Sequence, residues 1–402
     1  AMAAVGSCGA MCSFVVSLGT GMSLGANVTI ATNIGSGKMD AVRRAVHTAM
    51  LAAVGGGIIL GVAGELVIGP IMAMMGIKDP EVEAMALLYM RIYLAGLPIL
   101  FLYDFEAAIM RSQGDTRTPL IALTISGMVN VGLNLLFVLV LGMDVDGVAL
   151  ATVISSAVSS MLLLWCLTHS DSVIRVNLRE LAIDWPSLKR ILIVGLPAGI
   201  QGALFSVSNV IVQAAVNSLD TAVMAGNSAA NNIDAFSWYS LNAFGQACTT
   251  FVGQNNGARR HDRCVRTLKI CFIEGYTAYA IITTILLLFN RQLLSIFSSD
   301  PAVIDAGSLR VQFILATHLF TMVVEIMSGY LRGYGCSLPP TIVALFSICV
   351  LRVLWVAFVF SADHTLFTLL MVYPVSVAVN AVLTMALTFF MRNHLARPAT
   401  AA

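Results

Sequence analysis

The chain has 402 residues, of which 58% are hydrophobic and 11% are charged, and its mean hydropathy is +0.88. This composition excludes a water-soluble globule, because too few polar side chains are present to cover its surface, and it indicates a protein embedded in a lipid bilayer. The formal net charge of +1 gives no electrostatic reason to expect a nucleic-acid partner.

Long stretches without charge predict membrane helices along the whole chain. Residues 118–143, 191–219, 235–258 and 365–391 contain no charged side chain. Each stretch exceeds the roughly 20 residues that a helix needs to cross the hydrocarbon core. Clusters of Gly, Pro, Asp and Ser mark the turns between helices. We predict about eleven membrane helices, at residues 4–33, 43–75, 83–112, 119–142, 147–169, 190–218, 223–255, 264–297, 302–333, 339–361 and 365–391.

An internal repeat organises these helices. Residues 33–40 recur as residues 255–262, at an offset of 222 positions. Residues 110–114 recur as residues 331–335, at an offset of 221 positions. A repeat of this length is typical of secondary transporters, which contain two copies of one helical bundle with the substrate site between them. The sequence therefore predicts an all-α polytopic membrane protein with two homologous helical lobes.

The two halves differ at their beginnings. The second half has a helix at 190–218 before the counterpart of the helix at 4–33, and the equivalent of that leading helix would lie before residue 1. We expect a design of six plus six helices, with the first helix of the first lobe outside this sequence. The alternative is a protein of five plus six helices. The predicted domains are an N-terminal lobe, an inter-lobe linker, a C-terminal lobe and a tail, at residues 1–168, 169–189, 190–391 and 392–402.

Lysine and arginine predict the orientation of the helices. Every second loop is basic, and the loops between them carry mainly acidic side chains. By the positive-inside rule, the basic loops, the linker and the C-terminus lie in the cytoplasm. The basic segments contain Lys38, Arg43, Arg44, Arg111, Arg117, Arg175, Arg179, Lys189, Arg190, Arg259, Arg260, Arg263, Arg266, Arg332, Arg392 and Arg397.

An ordered set of short motifs carries a resemblance to a known family. The motifs are Gly35-x-Gly37 with its counterpart Gly257, Arg111-x-x-Gly114-Asp115-Thr116-x-x-Pro119 with its counterpart Arg332-Gly333-x-Gly335, and Gly195-Leu196-Pro197 at the start of the second half. At this duplicated spacing they resemble the multidrug and toxic compound extrusion (MATE) family, of the bacterial, DinF-like type. The resemblance covers essentially the whole chain. It implies two lobes around a central cleft in the plasma (inner) membrane, and export of organic cations, amphiphilic drugs or toxic metabolites by antiport against H⁺ or Na⁺.

The resemblance also implies a coupling-ion or proton site on the helix at 119–142. Asn130 and Asn134 stand four residues apart and therefore on one face of the helix, and Thr152 lies on the next helix. They match the family's first-lobe site, in which two side chains at this spacing and a threonine face a carboxylate on the first helix. Carboxamide and hydroxyl oxygens suit Na⁺ and equally hydrogen-bond a protonated carboxyl group. The alternative is that the asparagines only bond to packed neighbouring helices.

The sequence departs from the family pattern at two points. The partner carboxylate on the first helix lies outside this sequence, and the second position of the pair is Asn134 where other branches have an acid. The family's second-lobe coupling site uses a glutamate and an aspartate, and the corresponding residues here are Ser206 and Thr321. We therefore expect no sodium site of the second-lobe type.

Three acids lie within predicted membrane helices, two in the first half and one in the second, where an unpaired charge is costly. Asp104 and Glu325 each lie seven residues before an arginine, Arg111 and Arg332 respectively, so they are related by the repeat. We predict that they attract a cationic drug or relay a proton in the cavity. The alternative is that each bonds to the neighbouring backbone or holds its lobe closed. Glu106 is a third candidate cavity acid.

Two further intramembrane charges complete the set. Asp234 is another candidate cavity acid, and it follows a pair of asparagines. Arg352 is the candidate charge partner of an acid, with Glu325 one possibility.

Two other functions compete with drug export. A flippase of the same superfamily, for a lipid-linked saccharide or other lipid-like substrate, requires basic residues in its cleft, and the candidates are Arg91, Arg310 and Arg352. A membrane enzyme requires a catalytic cluster at one depth, and the sequence contains no P-loop, no HExxH motif and no nucleophile elbow. The eight cysteines show neither CxxC nor metal-ligand spacing. We therefore expect a monomeric transporter that is not an enzyme and has no cofactor or bound metal apart from the transported Na⁺ or H⁺.

Overall fold

The computed structural model describes residues 2–74 and 79–395, and every regular element in these two ranges is helical. The α-helices are α1 (Met2–Gly35), α2 (Met39–Met74), α3 (Pro80–Ala95), α4 (Leu97–Ser112), α5 (Arg117–Asn134), α6 (Val145–His169), α7 (Trp185–Val216), α8 (Thr221–Gly257), α9 (His261–Leu288), α10 (Asn290–Ser295), α11 (Pro301–Gly333), α12 (Leu338–Ala344), α13 (Leu351–Leu354), α14 (Leu366–Leu370) and α15 (Val372–Leu395). The shorter elements are π-helical turns at Leu135–Val140, Leu345–Val350 and Trp355–Phe360 and a 3₁₀ turn at Leu178–Glu180.

The described helices include nine segments that are long and apolar enough to cross a membrane, and the bent pair of α3 and α4 makes a tenth. The chain is therefore a multi-span membrane protein, as predicted. The 37-residue helix α8 is not among these segments, because polar side chains such as Asn227, Asn231 and Asp234 interrupt its apolar sequence. With α8 included, the number of long helices agrees with the predicted count of about eleven.

The helix predicted at 83–112 is broken in the structure. The axes of α3 and α4 differ by 48° at the single residue between them, Gly96. Pro98 has no amide hydrogen to continue the ladder of α3, and Gly96 lies so close to the Val153 side chain that any larger residue would collide with it. The prediction of one continuous helix was wrong here, because the break depends on a contact with a distant helix as well as on a proline.

The structure forms two compact units, Ala1–Ala203 and Leu204–Ala402. Two units agree with the two halves of the repeat. The division falls inside α7, so the first part of α7 packs with the helices of the first unit. The predicted lobe and linker limits stay a prediction.

Close glycine contacts hold α1 and α7 together in the first unit. Gly21 and Gly25 on α1 face Gly195 and Gly199 on α7. A methyl group on Gly25 would lie 2.7 Å from the amide nitrogen of Gly195. Both helices therefore present a small-xxx-small pattern, which lets two backbones approach closely within a membrane.

The second unit repeats this device between α8 and α11. The main chain of Gly245 on α8 lies against Gly329 on α11, and a methyl group on Gly329 would lie 3.1 Å from Thr249 Oγ1.

Large apolar side chains face outward from the spans, and Leu66, Leu139 and Phe389 are 75%, 74% and 76% exposed. Such large exposed apolar side chains suit contact with lipid.

The two units also share a local irregularity. The π-helical turn Leu135–Val140 directly follows α5, and the turn Trp355–Phe360 follows α13 at an offset of 220 positions, close to that of the repeat. π-helical turns inside helices are frequent at functional sites. The residues just before each turn, Asn130 and Asn134 in one unit and Arg352 in the other, are therefore of interest.

Candidate functional site

Asn130 and Asn134 lie together at the end of α5. Asn134 Nδ2 donates to the main-chain oxygen of Asn130 at 2.9 Å and to Asn130 Oδ1 at 3.0 Å. Asn130 Nδ2 in turn donates to Ser155 Oγ on α6 at 3.2 Å. Both asparagines are half-buried. The structure thus forms a polar chain of three side chains that connects two apolar helices.

Thr152 is connected to this chain only indirectly. Its hydroxyl donates to the Val148 main-chain oxygen at 3.0 Å. Its own main-chain oxygen accepts from Ser155 Oγ at 3.0 Å and from Ser156 Oγ at 2.8 Å. Ser155 is therefore the link between Thr152 and the asparagine pair. Ser155 is not among the site residues predicted from the sequence, although its place one helical turn after Thr152 is a usable signal.

Asp104 lines a small cavity in the first unit. The cavity has a volume of about 110 Å³. Thr20 Oγ1 donates to Asp104 Oδ2 at 3.5 Å. An acid in a mainly apolar wall can attract a cationic group or carry a proton. The other lining residues are Val16, Leu97, Leu100, Phe101, Tyr103 and Ser156.

Glu106 lies two residues further along α4 in a different environment. Its side chain is fully buried, and Ser160 Oγ on α6 lies 2.9 Å from its Oε2. Its Oε1 has no hydrogen-bond partner among the described residues. Glu106 is not among the residues that line the Asp104 cavity, so the structure separates these two candidate acids.

The other two candidate acids lie in the second unit. Glu325 on α11 is buried, and its Oε2 would lie 3.0 Å from a methyl group placed on Gly245. Asp234 on α8 is partly exposed, and its Oδ1 lies 3.3 Å from His318 Nε2. His318 is itself buried. Asp234 on α8 therefore contacts a residue of α11, and Glu325 on α11 contacts a residue of α8.

Arg352 is buried on α13 among neutral partners. Its Nη1 donates to Asn209 Oδ1 at 2.8 Å, and its Nε donates to Ser376 Oγ at 3.2 Å. Its guanidinium carbon lies 4.9 Å from the centre of the Tyr373 ring. Among the described contacts of Arg352 no acid occurs, so the expected pairing with Glu325 is not among them.

A second buried arginine, Arg310 on α11, contacts the same ring. Its guanidinium carbon lies 5.4 Å from the centre of the Tyr373 ring, and Nη1 lies 3.5 Å from the Tyr373 hydroxyl. It also donates to the side-chain oxygens of Asn227 and Asn231 on α8. From the sequence, Arg310 is predicted only as a basic residue of a flippase cleft, and Tyr373 is not predicted as a site residue. Nothing local in the sequence joins these residues, because they come from separate helices.

Comparison with known proteins adds a family to this geometry. The MatE family model matches residues 1–136 and 197–358, well over half of the chain. The chain belongs to the MATE family. The resemblance predicted from the duplicated motifs is thereby confirmed.

Three relatives show the extent of the similarity. The MATE chain is 30% identical over 345 residues to the probable multidrug resistance protein NorM of Thermotoga maritima, which covers 84% of this chain and 73% of the relative. It is 22% identical to the FAD transporter of Shewanella oneidensis, over 80% of this chain and 72% of the relative. Its fold matches the outward-facing conformation of a multidrug resistance MATE family transporter of the MOP superfamily with a TM-score of 0.89 and 21% identity, over 98% of this chain and 88% of the other. The chain is therefore a membrane transporter of a family that exports drugs or toxic compounds.

Proposed function

We propose that this MATE transporter exports organic cations, amphiphilic drugs or toxic metabolites in exchange for Na⁺ or H⁺, by alternating access. The observation that carries the proposal is the polar chain of Asn134, Asn130 and Ser155. It lies within helices whose surroundings are apolar, where polar side chains mark ion and proton pathways.

The Asn134 side-chain oxygen is the atom of this polar chain that would bind the cation or proton. Asn134 donates from Nδ2 to both oxygens of Asn130, whereas its Oδ1 accepts from none of the described residues. A carboxamide oxygen in this state can coordinate Na⁺ or accept a hydrogen bond from a protonated carboxyl group. Thr152 would support the site through Ser155 and not as a direct ligand.

The π-helical turn after Asn134 supports a mechanism in which binding of the cation or proton changes the winding of the helix. Leu135–Val140 departs from the regular ladder of α5, and such turns mark places where a helix can change its winding. A cation or proton bound at Asn134 would favour one winding of this segment. If cargo binds better to the other winding, each ligand lowers the affinity for the other, which is the reciprocal coupling that antiport requires.

Asp104 supports cationic cargo in the first unit. It lines a cavity that also contains Phe101 and Tyr103. A carboxylate attracts an ammonium group, and aromatic rings favour cations through their faces.

Two other cargo classes are an acidic compound and a lipid-like substrate, and one observation bears on each. The similarity to an FAD transporter favours an acidic cargo as the second candidate. The flippase alternative loses one of its three basic candidates, because Arg91 Nε lies 2.9 Å from Glu65 Oε1.

The family and the basic loops support the proposed location. We place the protein in the inner membrane of a bacterial cell, as a monomer, with the C-terminus in the cytoplasm. The ion gradient across that membrane supplies the energy, without a resident cofactor.

Dye efflux from vesicles tests the proposal. The purified protein is reconstituted into liposomes that are loaded with ethidium, and a proton gradient or a sodium gradient is imposed. Ethidium release that one gradient accelerates, and that an ionophore for the same ion abolishes, supports the proposal. If neither gradient changes the release of ethidium or of a panel of other organic cations, the proposal fails.

A further inference from the structure

Two buried arginines of the second unit meet at one aromatic ring. Arg310 is 5% exposed and Arg352 is 6% exposed, and their guanidinium carbons lie 5.4 Å and 4.9 Å from the centre of the Tyr373 ring. We refer to Arg310, Arg352 and Tyr373 as the arginine–tyrosine cluster. Cation–π contacts of this kind are stronger when they are shielded from water.

The cluster carries positive charge that its described neighbours do not neutralise. The hydrogen-bond partners of Arg352 are an amide and a hydroxyl, those of Asn209 and Ser376. Those of Arg310 are the amide oxygens of Asn227 and Asn231 and the Tyr373 hydroxyl. None of these groups is an anion, and a buried cation without an anion is costly.

The nearest acid along α8 does not resolve this imbalance. Asp234 lies three residues after Asn231, and its carboxylate contacts His318 at 3.3 Å. Even if its full charge acts on Arg310, one carboxylate faces two guanidinium groups. At least one positive charge therefore remains for an external anion.

Unused hydrogen-bond donors point to the same conclusion. Arg310 Nε is buried and has no hydrogen-bond partner among the described residues. Arg352 uses Nε and Nη1, and its Nη2 donates to none of the described residues. A guanidinium group has five N–H donors in a planar fork that suits a carboxylate or a phosphate.

The Asn227 partner of Arg310 is itself held in place by hydrogen bonds. Asn227 Nδ2 donates to Gln213 Oε1 at 2.8 Å, and Gln213 Nε2 donates to Asn217 Oδ1 at 2.8 Å. The oxygen of Asn227 is thereby turned toward Arg310. A preorganised donor group of this kind favours binding because little ordering remains to be done.

The place of Arg352 in the repeat separates this cluster from the coupling site. At the offset of 221, Asn130 and Asn134 correspond to Leu351 and Trp355, which enclose Arg352. The same stretch, directly before a π-helical turn, thus carries two amides in the first unit and a guanidinium group in the second. At this position the second unit is therefore suited to an anion, which the two amides of the first unit are not.

We propose that the arginine–tyrosine cluster is a cargo site for an acidic aromatic amphiphile, whose carboxylate or phosphate binds the two arginines while its ring lies near Tyr373. This inference rests on the proposed export function and specifies one cargo class.

A matched series of naphthalene compounds tests the site by binding alone. The probes are 1-naphthyl phosphate, 1-naphthoate, 1-naphthylmethylammonium and the neutral 1-naphthalenemethanol, and their affinities for the full chain in detergent are measured by equilibrium dialysis. We expect the two anions to bind at least about tenfold more tightly than the neutral alcohol, since hydrogen bonds to charged groups contribute this much. Equal binding of anions and alcohol by the wild-type protein overturns the proposal without any variant.

Substitutions test whether the two arginines cause the tighter binding of the anions. Arg310→Gln and Arg352→Gln are each expected to weaken binding of both anions about tenfold and to leave 1-naphthylmethylammonium binding unchanged. Arg352→Lys retains the charge but loses the planar fork, so an intermediate loss is expected. The control is Arg291→Gln in the same unit, because Arg291 is 61% exposed and pairs with Asp305 on the surface. Loss of anion and cation binding together, or no loss of anion binding in folded variants, overturns the proposal.

Two further readouts separate the possible failures. Binding in detergent needs no ion gradient, so it remains measurable if the gradient-driven export fails. Displacement of 1-naphthyl phosphate by phosphatidylglycerol, together with no uptake of 1-naphthyl phosphate into vesicles, would show a lipid site and overturn the cargo assignment. Uptake that Arg310→Gln abolishes and Arg291→Gln retains would support it.

Discussion

Asn134 donates from its single amide nitrogen to two oxygens of Asn130, the main-chain oxygen at 2.9 Å and Oδ1 at 3.0 Å. This double contact fixes the orientation of the Asn134 side chain. Its Oδ1 accepts no hydrogen bond from the residues that the structure describes, so the pair acts as one unit that leaves this oxygen available. Replacing either asparagine disturbs the same acceptor.

The first prediction concerns ion coupling. Asn134→Ala removes the available Asn134 Oδ1. Asn130→Ala removes Asn130 Oδ1, which accepts from Asn134 Nδ2, and also removes the hydrogen bond to Ser155. We expect both variants to reduce gradient-driven efflux about tenfold, the effect of losing one hydrogen bond to a charged group, while cargo binding without a gradient stays within twofold. The measurement is ethidium efflux from vesicles, compared with ethidium binding in detergent.

The control for the first prediction is Thr124→Ala on the same helix. Thr124 is exposed, and among the described residues its hydroxyl bonds only to the main-chain oxygen of Leu120. It should retain wild-type coupling. Wild-type coupling in Asn134→Ala would remove the coupling role from this pair.

The sequence predicts the local features of this protein well. The helices and their number follow from hydropathy and length, and the i,i+4 spacing of Asn130 and Asn134 places them on one face of α5, where the structure joins them. The repeat predicts two units. The helices and the asparagine pair depend on residues that are near one another in the chain, and the repeat can be read by comparing one half of the sequence with the other.

Features that depend on distant segments escape a single sequence. The break at Gly96 needs the contact with Val153, which lies on another helix. The arginine–tyrosine cluster joins side chains of three helices. The Asn209 amide on α7 and the Ser376 hydroxyl on α15 replace the acid that charge alone led us to expect for Arg352. Packing determines such pairs, and periodicity and hydropathy carry no information about packing partners.

The second prediction concerns cationic cargo. Asp104→Asn removes the charge from the cavity in the first unit but keeps its shape. We expect the KM for ethidium to rise several-fold with little change in kcat, because the carboxylate contributes to binding in the ground state. Asp171→Asn in the exposed linker is the matched control. An unchanged KM in Asp104→Asn would exclude Asp104 as a cargo ligand.

The third prediction concerns helix packing. Gly21→Leu places a side chain into the backbone of Gly199, so α1 and α7 must separate. Overpacking of this kind costs about 1–3 kcal/mol, and the thermal unfolding midpoint in detergent should fall. Gly9→Leu on the same helix is the control, because a methyl group there would meet no atom of the described residues within 4 Å. Equal midpoints for the two variants would contradict the close packing of α1 and α7.

The fourth prediction concerns the start of α7. The main-chain N–H of Ser187 donates to Asp184 Oδ2 at 3.0 Å, and Arg44 Nε lies 3.4 Å from Asp184 Oδ1. The hydrogen bond from the Ser187 hydroxyl is the main cause that lowers the pKa of Asp184 below its ordinary value, and Arg44 adds to it. Asp184 therefore stabilises the folded state while it is ionised. Replacing such a helix cap by alanine costs about 1 kcal/mol.

The pH dependence of this cap has a defined sign. Because folding lowers the pKa of Asp184, its contribution is complete above the ordinary carboxyl value and is lost as the pH falls through the lowered value. The difference in unfolding midpoint between wild type and Asp184→Ala should thus be constant near neutral pH and shrink below about pH 4. Asp171→Ala is the control. A difference that grows as the pH falls would contradict the assignment.

The most direct test of the account is whether cargo movement drives ion movement. Vesicles carrying the protein are prepared with equal Na⁺ and equal pH on both sides, and an ethidium gradient is then imposed while internal pH and ²²Na⁺ content are recorded. The account predicts that ethidium moving down its gradient drives H⁺ or Na⁺ in the opposite direction, and that Asn134→Ala abolishes this ion movement. Ethidium transport without any opposing movement of either ion would contradict it.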